Sequence, residues 1–161
     1  MFEAQEYKGN IQERYNMLSK QLDALLEGEN DIIANLSNAS ALLNQFLHDI
    51  NWVGFYLWKE DQLVLGPFQG LPACVRIQSG RGVCGTAVKE KKTLLVEDVH
   101  QFPGHIACDA ASNSEIVIPL INENDEVIGV LDIDSPIKAR FTKEDQSGLE
   151  HFVTTLLRHV Y

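Results

Sequence analysis

The chain has 161 residues, 45% of them hydrophobic and 22% charged, which fits one globular domain and excludes extensive disorder. Lys and Arg number 13 against 23 Asp and Glu, and the resulting net charge of −10 argues against nucleic-acid backbones as partners. No apolar run is long enough to span a bilayer, and Met1–Glu6 lacks the basic and apolar segments of a signal peptide, so the expected location is a reducing cytoplasm.

Residues 11–27 carry Ile11, Tyr15, Leu18, Leu22 and Leu25 at helical spacing. Asn10 can cap this helix with Glu13 as its reciprocal partner, and Gly28 can close it. A second helix is expected from Ile32 to Leu47, capped by Asp31. Strand signals follow. The aromatic run Trp52–Trp58 and Leu63–Leu65 flank Glu60-Asp61-Gln62, which reads as a hairpin. Ala73–Gln78 alternates in the manner of a half-buried strand. Gly80–Gly85 reads as a tight turn before a short helix over Thr86–Lys92 and a short strand over Thr93–Val96. His100–Ser114 has no periodicity, and aperiodic loops of this length tend to carry function. Glu115–Ile121 and Val127–Asp134 are the last strands, joined by the turn residues Asn122–Asp125. A last helix begins at Thr142, where Asp145 completes a capping signal. The order implies an α+β fold, with helices on one face of a mainly antiparallel sheet.

Gly80-Arg81-Gly82-Val83-Cys84-Gly85 matches the G-x-G-x-x-G pattern of dinucleotide-binding turns. The match is rejected. The preceding strand alternates polar and apolar residues, unlike a parallel strand covered on both faces. The helix that follows, about 10 Å long, is short for a crossover. The turn can still bring backbone N–H groups near an anion.

Three cysteines, Cys74, Cys84 and Cys108, match no short zinc spacing, and an odd count in a chain of this size argues against a disulfide framework. On count alone they read as structural. Cys84 lies near a helix start and Arg81, two features that favour thiolate. Cys108 lies in the long loop beside Asp109, with His105 nearby as an incidental neighbour, and Cys74 can be a plain core residue. Asp132 and Asp134 are two apart on a strand and so share a face. With Glu115 they either line a pocket or serve strand-end capping and turn chemistry. Carboxylates with Trp52 and Tyr56 suit a small cationic or zwitterionic ligand, although strand aromatics are also ordinary core.

Several segments together resemble the free methionine-(R)-sulfoxide reductases, small single-domain enzymes of GAF fold. They are Asn51–Tyr56, Gly80–Gly85, Val96–Val99, Phe102–Asp109, Ser114–Pro119 and Gly129–Ser135. The resemblance covers roughly residues 30–157 and includes all three cysteines at the family's spacing. It implies one GAF domain over 1–161, in which the N-terminal segment 1–28 is a candidate contact for a homodimer. It also implies reduction of the R sulfoxide of free methionine. Cys108 would be the nucleophile that becomes a sulfenic acid, and Cys74 and Cys84 resolving or recycling thiols. Glu115 and Asp134 would lie near the sulfoxide, Asp132 would meet the substrate ammonium, and Trp52 and Tyr56 would be pocket walls. Thioredoxin would return the electrons, with no metal or organic cofactor. The alternative is a non-catalytic GAF module that senses a small ligand; it shares the Gly129–Ser135 strand but has no reason to carry the cysteine set.

Overall fold

The computed structural model describes residues 2–106 and 110–160; Ala107, Cys108 and Asp109 lie outside the described residues. Four helices and six strands alternate along them: α1 (Ile11–Leu26), α2 (Ile32–Phe46), β1 (Trp52–Lys59), β2 (Gln62–Gly70), β3 (Arg76–Ile77), α3 (Gly82–Glu90), β4 (Leu94–Val96), β5 (Ser114–Ile121), β6 (Val127–Ser135) and α4 (Lys143–Val160). A single 3₁₀ turn, Val99–Gln101, follows β4.

Local chemistry sets the ends of the elements. Asn10 Oδ1 accepts from the Glu13 backbone N–H at 2.9 Å, and the Glu13 carboxylate accepts from the Asn10 N–H, so the expected capping box is present. Asp31 caps α2 by accepting from the Ala34 N–H at 2.8 Å. At the start of α4, Asp145 accepts from the Thr142 N–H at 2.9 Å, while Thr142 Oγ1 accepts from the Asp145 N–H at 3.2 Å. The hairpin turns at Glu60 and Asp61, both left-handed at φ 53° and 61°, which is the two-residue turn that suits the twist of paired strands.

The strands form one sheet in the order β3-β2-β1-β6-β5-β4, and every neighbouring pair is antiparallel. This arrangement removes the dinucleotide reading of the glycine turn, which needs parallel strands. The two faces of the sheet bury different cores. On one, Val53, Phe55 and Leu57 of β1, Ile116, Ile118 and Leu120 of β5, and Leu131 and Ile133 of β6 pack against α1, α2 and α4. On the other, Trp52, Tyr56, Val117 and Val130 pack against Val83, Cys84, Ala87 and Val88 of α3. The terminal helices thus share one face, as expected, and the short helix covers part of the other.

Three expectations are corrected. The strand over 73–78 shrinks to Arg76–Ile77, because Val75 is 59% exposed and the chain there follows a loop that meets β2 through a Leu65 N–H to Val75 carbonyl bond. The second hairpin strand extends to Gly70 rather than stopping at Leu65, since β1 provides pairing partners as far as Trp52. The short helix begins at Gly82, four residues early, because the glycine turn closes on itself through Gly80 N–H to Gly85 carbonyl (2.7 Å) and Gly85 N–H to Arg81 carbonyl (3.0 Å). These N–H groups are spent within the turn, which leaves the Gly80 and Gly85 donors unavailable to an anion.

Candidate active site

Strand register places the carboxylates. Asp134 on β6 is directly opposite Trp52 on β1 and Glu115 on β5, so these three residues form one row across three strands. Asp132 lies one row further in, opposite Gly54 and Val117. Alternation along each strand sends Glu115, Asp132, Asp134, Trp52 and Tyr56 to the face opposite the three long helices. There they line one cavity with Pro72, Ala73, Ile77, Arg81, Gly82, Val83, Cys84, His105, Ile106 and Ser112. The accessible space is about 50 Å³, room for a few waters and hence for the head of a small molecule rather than a polymer.

The aromatic wall is fixed at its edges. The Trp52 indole stacks on Phe68 with ring centres 5.1 Å apart, and its N–H donates to the Leu71 carbonyl at 3.1 Å. The Tyr56 hydroxyl donates to the Cys74 carbonyl at 2.8 Å. Both bonds tie the loop between β2 and β3 to the pocket wall, so these aromatics position the Cys74 backbone as well as filling space. Gly85 allows α3 to approach closely: a β-carbon there would overlap the Gln78 carbonyl.

Burial dominates the electrostatics. Glu115 and Asp132 are 7% and 6% exposed. Burial raises the Glu115 pKa well above the usual carboxylate range, and the negative charges of Asp132 and Asp134 raise it further. Asp132 is also raised by burial, although hydrogen bonds with Glu115 and Cys84 pull it partly back. The arrangement favours one retained proton among the carboxylates near neutral pH. One oxygen of Asp132, Oδ1, is buried without a hydrogen-bond partner. Such an atom is costly to bury unless something else satisfies it.

The two local features that favour a Cys84 thiolate, the helix start and Arg81, are outweighed by its surroundings in the fold. Its Sγ lies 3.9 Å from Glu115 Oε2, the residue is 5% exposed, and burial together with Asp132, Glu115 and Asp134 pushes the thiol well above its usual range. Cys84 is the third residue of α3, but the helix-start effect loses to desolvation and three carboxylates. Cys84 is a free thiol, whereas Cys74 is disulfide-bonded and half-buried on the rim of the same apolar cluster. Cys108, expected as the nucleophile, lies outside the described residues.

Six of the eight residues singled out in the sequence therefore meet at the cavity: Trp52, Tyr56, Cys84, Glu115, Asp132 and Asp134. The strand-end capping reading of the carboxylates gives way to the pocket reading. His105, expected as incidental, is on the cavity wall, and burial lowers its pKa, with His100 adding to the effect. Ser112 was not legible as a site residue. It is 6% exposed, lines the cavity and accepts from Asn51 Nδ2 at 3.1 Å. Nothing in an aperiodic loop signals which side chain turns inward.

Comparisons with known proteins agree with this geometry. The GAF domain family matches residues 31–159. Free methionine-R-sulfoxide reductase of Escherichia coli (strain K12) is 58% identical over 147 residues, which cover 91% of this chain and 88% of the relative. The Saccharomyces cerevisiae protein of the same name is 44% identical over 88% of this chain and 82% of its own. Among solved structures, fRMsr of Staphylococcus aureus in complex with substrate is 56% identical, with a TM-score of 0.86 over 91% of this chain and 95% of that one. Free methionine-R-sulfoxide reductase from Neisseria meningitidis in complex with its substrate is 40% identical, with a TM-score of 0.93 over 99% and 95%.

Proposed function

From the premise that this chain belongs to the GAF domain family and, within it, to the free methionine-R-sulfoxide reductases, we propose that it reduces free methionine-(R)-sulfoxide to methionine with thiols as the electron source. The observation that carries the reading is the floor of the cavity. A raised carboxyl group, Glu115, and an unsatisfied buried carboxylate oxygen on Asp132 share one small pocket against an aromatic wall. A sulfoxide oxygen needs a proton donor, and a free amino acid brings an ammonium group that needs an anion.

In this reading Trp52 and Tyr56 enclose the side chain of the substrate, and Asp132 accepts from its ammonium. Glu115, with Asp134 beside it, donates a hydrogen bond to the sulfoxide oxygen. The Cys108 thiolate attacks the sulfoxide sulfur. The oxygen passes to Cys108 as a sulfenic acid, the S–O bond to the substrate breaks, and methionine leaves. A second thiol displaces the sulfenic oxygen as water and forms a disulfide. We assign this resolving role to Cys74 because it is disulfide-bonded, whereas Cys84 is buried, free and held protonated. A dithiol protein of the thioredoxin type then reduces the disulfide by exchange, taking the oxidation onto its own cysteines. The cycle calls on no resident metal or organic cofactor. It suits a reducing cytoplasm, and α1 with its flanking segment is the surface proposed for a homodimer.

Turnover coupled to thioredoxin and NADPH, measured on the two separated sulfoxide epimers, tests the proposal. The R epimer should turn over and the S epimer hardly at all. Equal turnover of an acetylated, amidated R sulfoxide would remove the ammonium argument. Rapid quench without reductant tests the thiol roles: Cys108→Ser should release no methionine, and Cys74→Ser about one equivalent before stopping. If neither epimer reacts but methionine sulfoxide binds, the chain is a small-ligand sensor instead.

A further inference from the structure

We propose that the floor of the cavity is also a chelating site for a single zinc-class cation, formed by Cys84, Glu115 and Asp132. The inference concerns these three side chains alone and does not rest on sulfoxide reduction. Among the described residues, their ligand atoms converge, all within 4.8 Å of one another, and all three residues are buried. Ligand atoms around a tetrahedral zinc ion lie about 3.5 Å apart, so side-chain movements of about 1 Å complete the geometry.

A second observation points to a ligand. Asp132 is 6% exposed, it lines the cavity, and its Oδ1 has no partner. The charges that bear most strongly on Glu115, from Asp132 and Asp134, are both negative. A divalent cation supplies the partner that Asp132 Oδ1 lacks and offsets those two charges. The donor set selects the kind of cation. Magnesium and calcium take oxygen ligands and do not use a thiol. One thiolate with two carboxylates suits zinc or its heavier analogue cadmium, with water in the fourth position. On binding, the Cys84 thiol and the Glu115 carboxyl both lose their protons to solvent, and the sulfur and oxygen electron pairs form the bonds to the metal; no oxidant or reductant takes part. A metal held there closes the cavity to small molecules, which would make zinc an inhibitor acting through a residue other than the proposed nucleophile.

Cadmium is the probe, because its thiolate bond has an ultraviolet charge-transfer band. The whole chain is kept reduced with a phosphine, which does not compete as a dithiol would. One cadmium ion per chain should bind with such a band. The band should vanish in Cys84→Ala and persist in Cys108→Ser and Cys74→Ser. Asp132→Asn should weaken zinc affinity by at least tenfold while the band is retained at saturation. Circular dichroism identical to that of the parent verifies that each variant is folded. A band that survives in Cys84→Ala, one that disappears in Cys108→Ser, or none in the parent chain overturns the site. Turnover of methionine sulfoxide without this band defeats the metal inference alone, and the band without turnover defeats the proposed activity alone.

Discussion

Glu115 shows how one residue can be costly to the fold and useful to the site. Its pKa lies above the ordinary value of 4.5, so the proton it holds contributes stability that is complete below that value. That contribution is lost as pH rises through the folded pKa, where a buried negative charge replaces a neutral acid. Glu115→Gln should therefore leave stability near pH 4 almost unchanged and raise it at alkaline pH. We expect a gain of roughly 1 kcal/mol there, about 2–4 °C in Tm, read by thermal melts across pH. The same variant should lower kcat by about 10²–10⁴-fold, because glutamine cannot supply the proton that the proposed mechanism takes from Glu115. Asp132→Asn should instead act mainly on KM, raising it about 10–100-fold with kcat within a few-fold, since the proposed charge-assisted bond to the ammonium would form before the chemistry begins. Steady-state kinetics on both variants separates the two roles; an unchanged KM in Asp132→Asn would move the ammonium to another carboxylate.

At the scale of elements, the site depends on how closely α3 approaches the sheet. The turn Gly80–Gly85 brings Gly85 against the Gln78 backbone, and it is backbone, not a flexible side-chain end, that a methyl group would strike. Gly85→Ala should destabilise the chain by about 1–3 kcal/mol in urea denaturation. It should also reduce kcat/KM, because Val83 and Cys84 of the same helical turn form part of the cavity wall. In the neighbouring strands the register sorts the side chains: β6 alternates Val130, Asp132 and Asp134 toward the cavity with Leu131 and Ile133 toward the helices. A one-residue slip would exchange the two sets, so the apolar residues hold the carboxylates in place.

Across the whole molecule, the sheet separates a face devoted to stability from a face devoted to chemistry. The Tyr15 hydroxyl donates to Asp145 Oδ1 at 2.6 Å and joins α1 to α4, on the helical side. Arg140 pairs with the other Asp145 oxygen at 3.4 Å. Tyr15→Phe should cost about 1–2 kcal/mol, since it leaves a buried carboxylate oxygen one donor short. Yet kcat/KM should stay within about twofold, because the network and the cavity lie on opposite faces and share no residue. A thermal melt paired with a kinetic assay checks both halves; a large loss of activity at intact fold would mean that the two faces are coupled.

Much of this was present in local sequence. The caps at Asn10, Asp31 and Thr142 act over three residues, so the chain itself places those helix starts. The two-residue alternation of β6 put Asp132 and Asp134 on one face before any neighbour was known. The cysteine spacing and the flanking motifs carried the family. The remainder depended on contacts between segments distant in the chain. Whether the shared face of β6 was pocket or surface was decided by β1, β5 and α3 closing around it. The protonation of Cys84 was decided likewise. Its nearest sequence neighbours, a helix start and Arg81, favour the anion. Glu115 and Asp132, 31 and 48 positions away, and the burial they share, favour the thiol. Electrostatic energy follows distance and dielectric rather than position along the chain, so only the folded structure could set that sign.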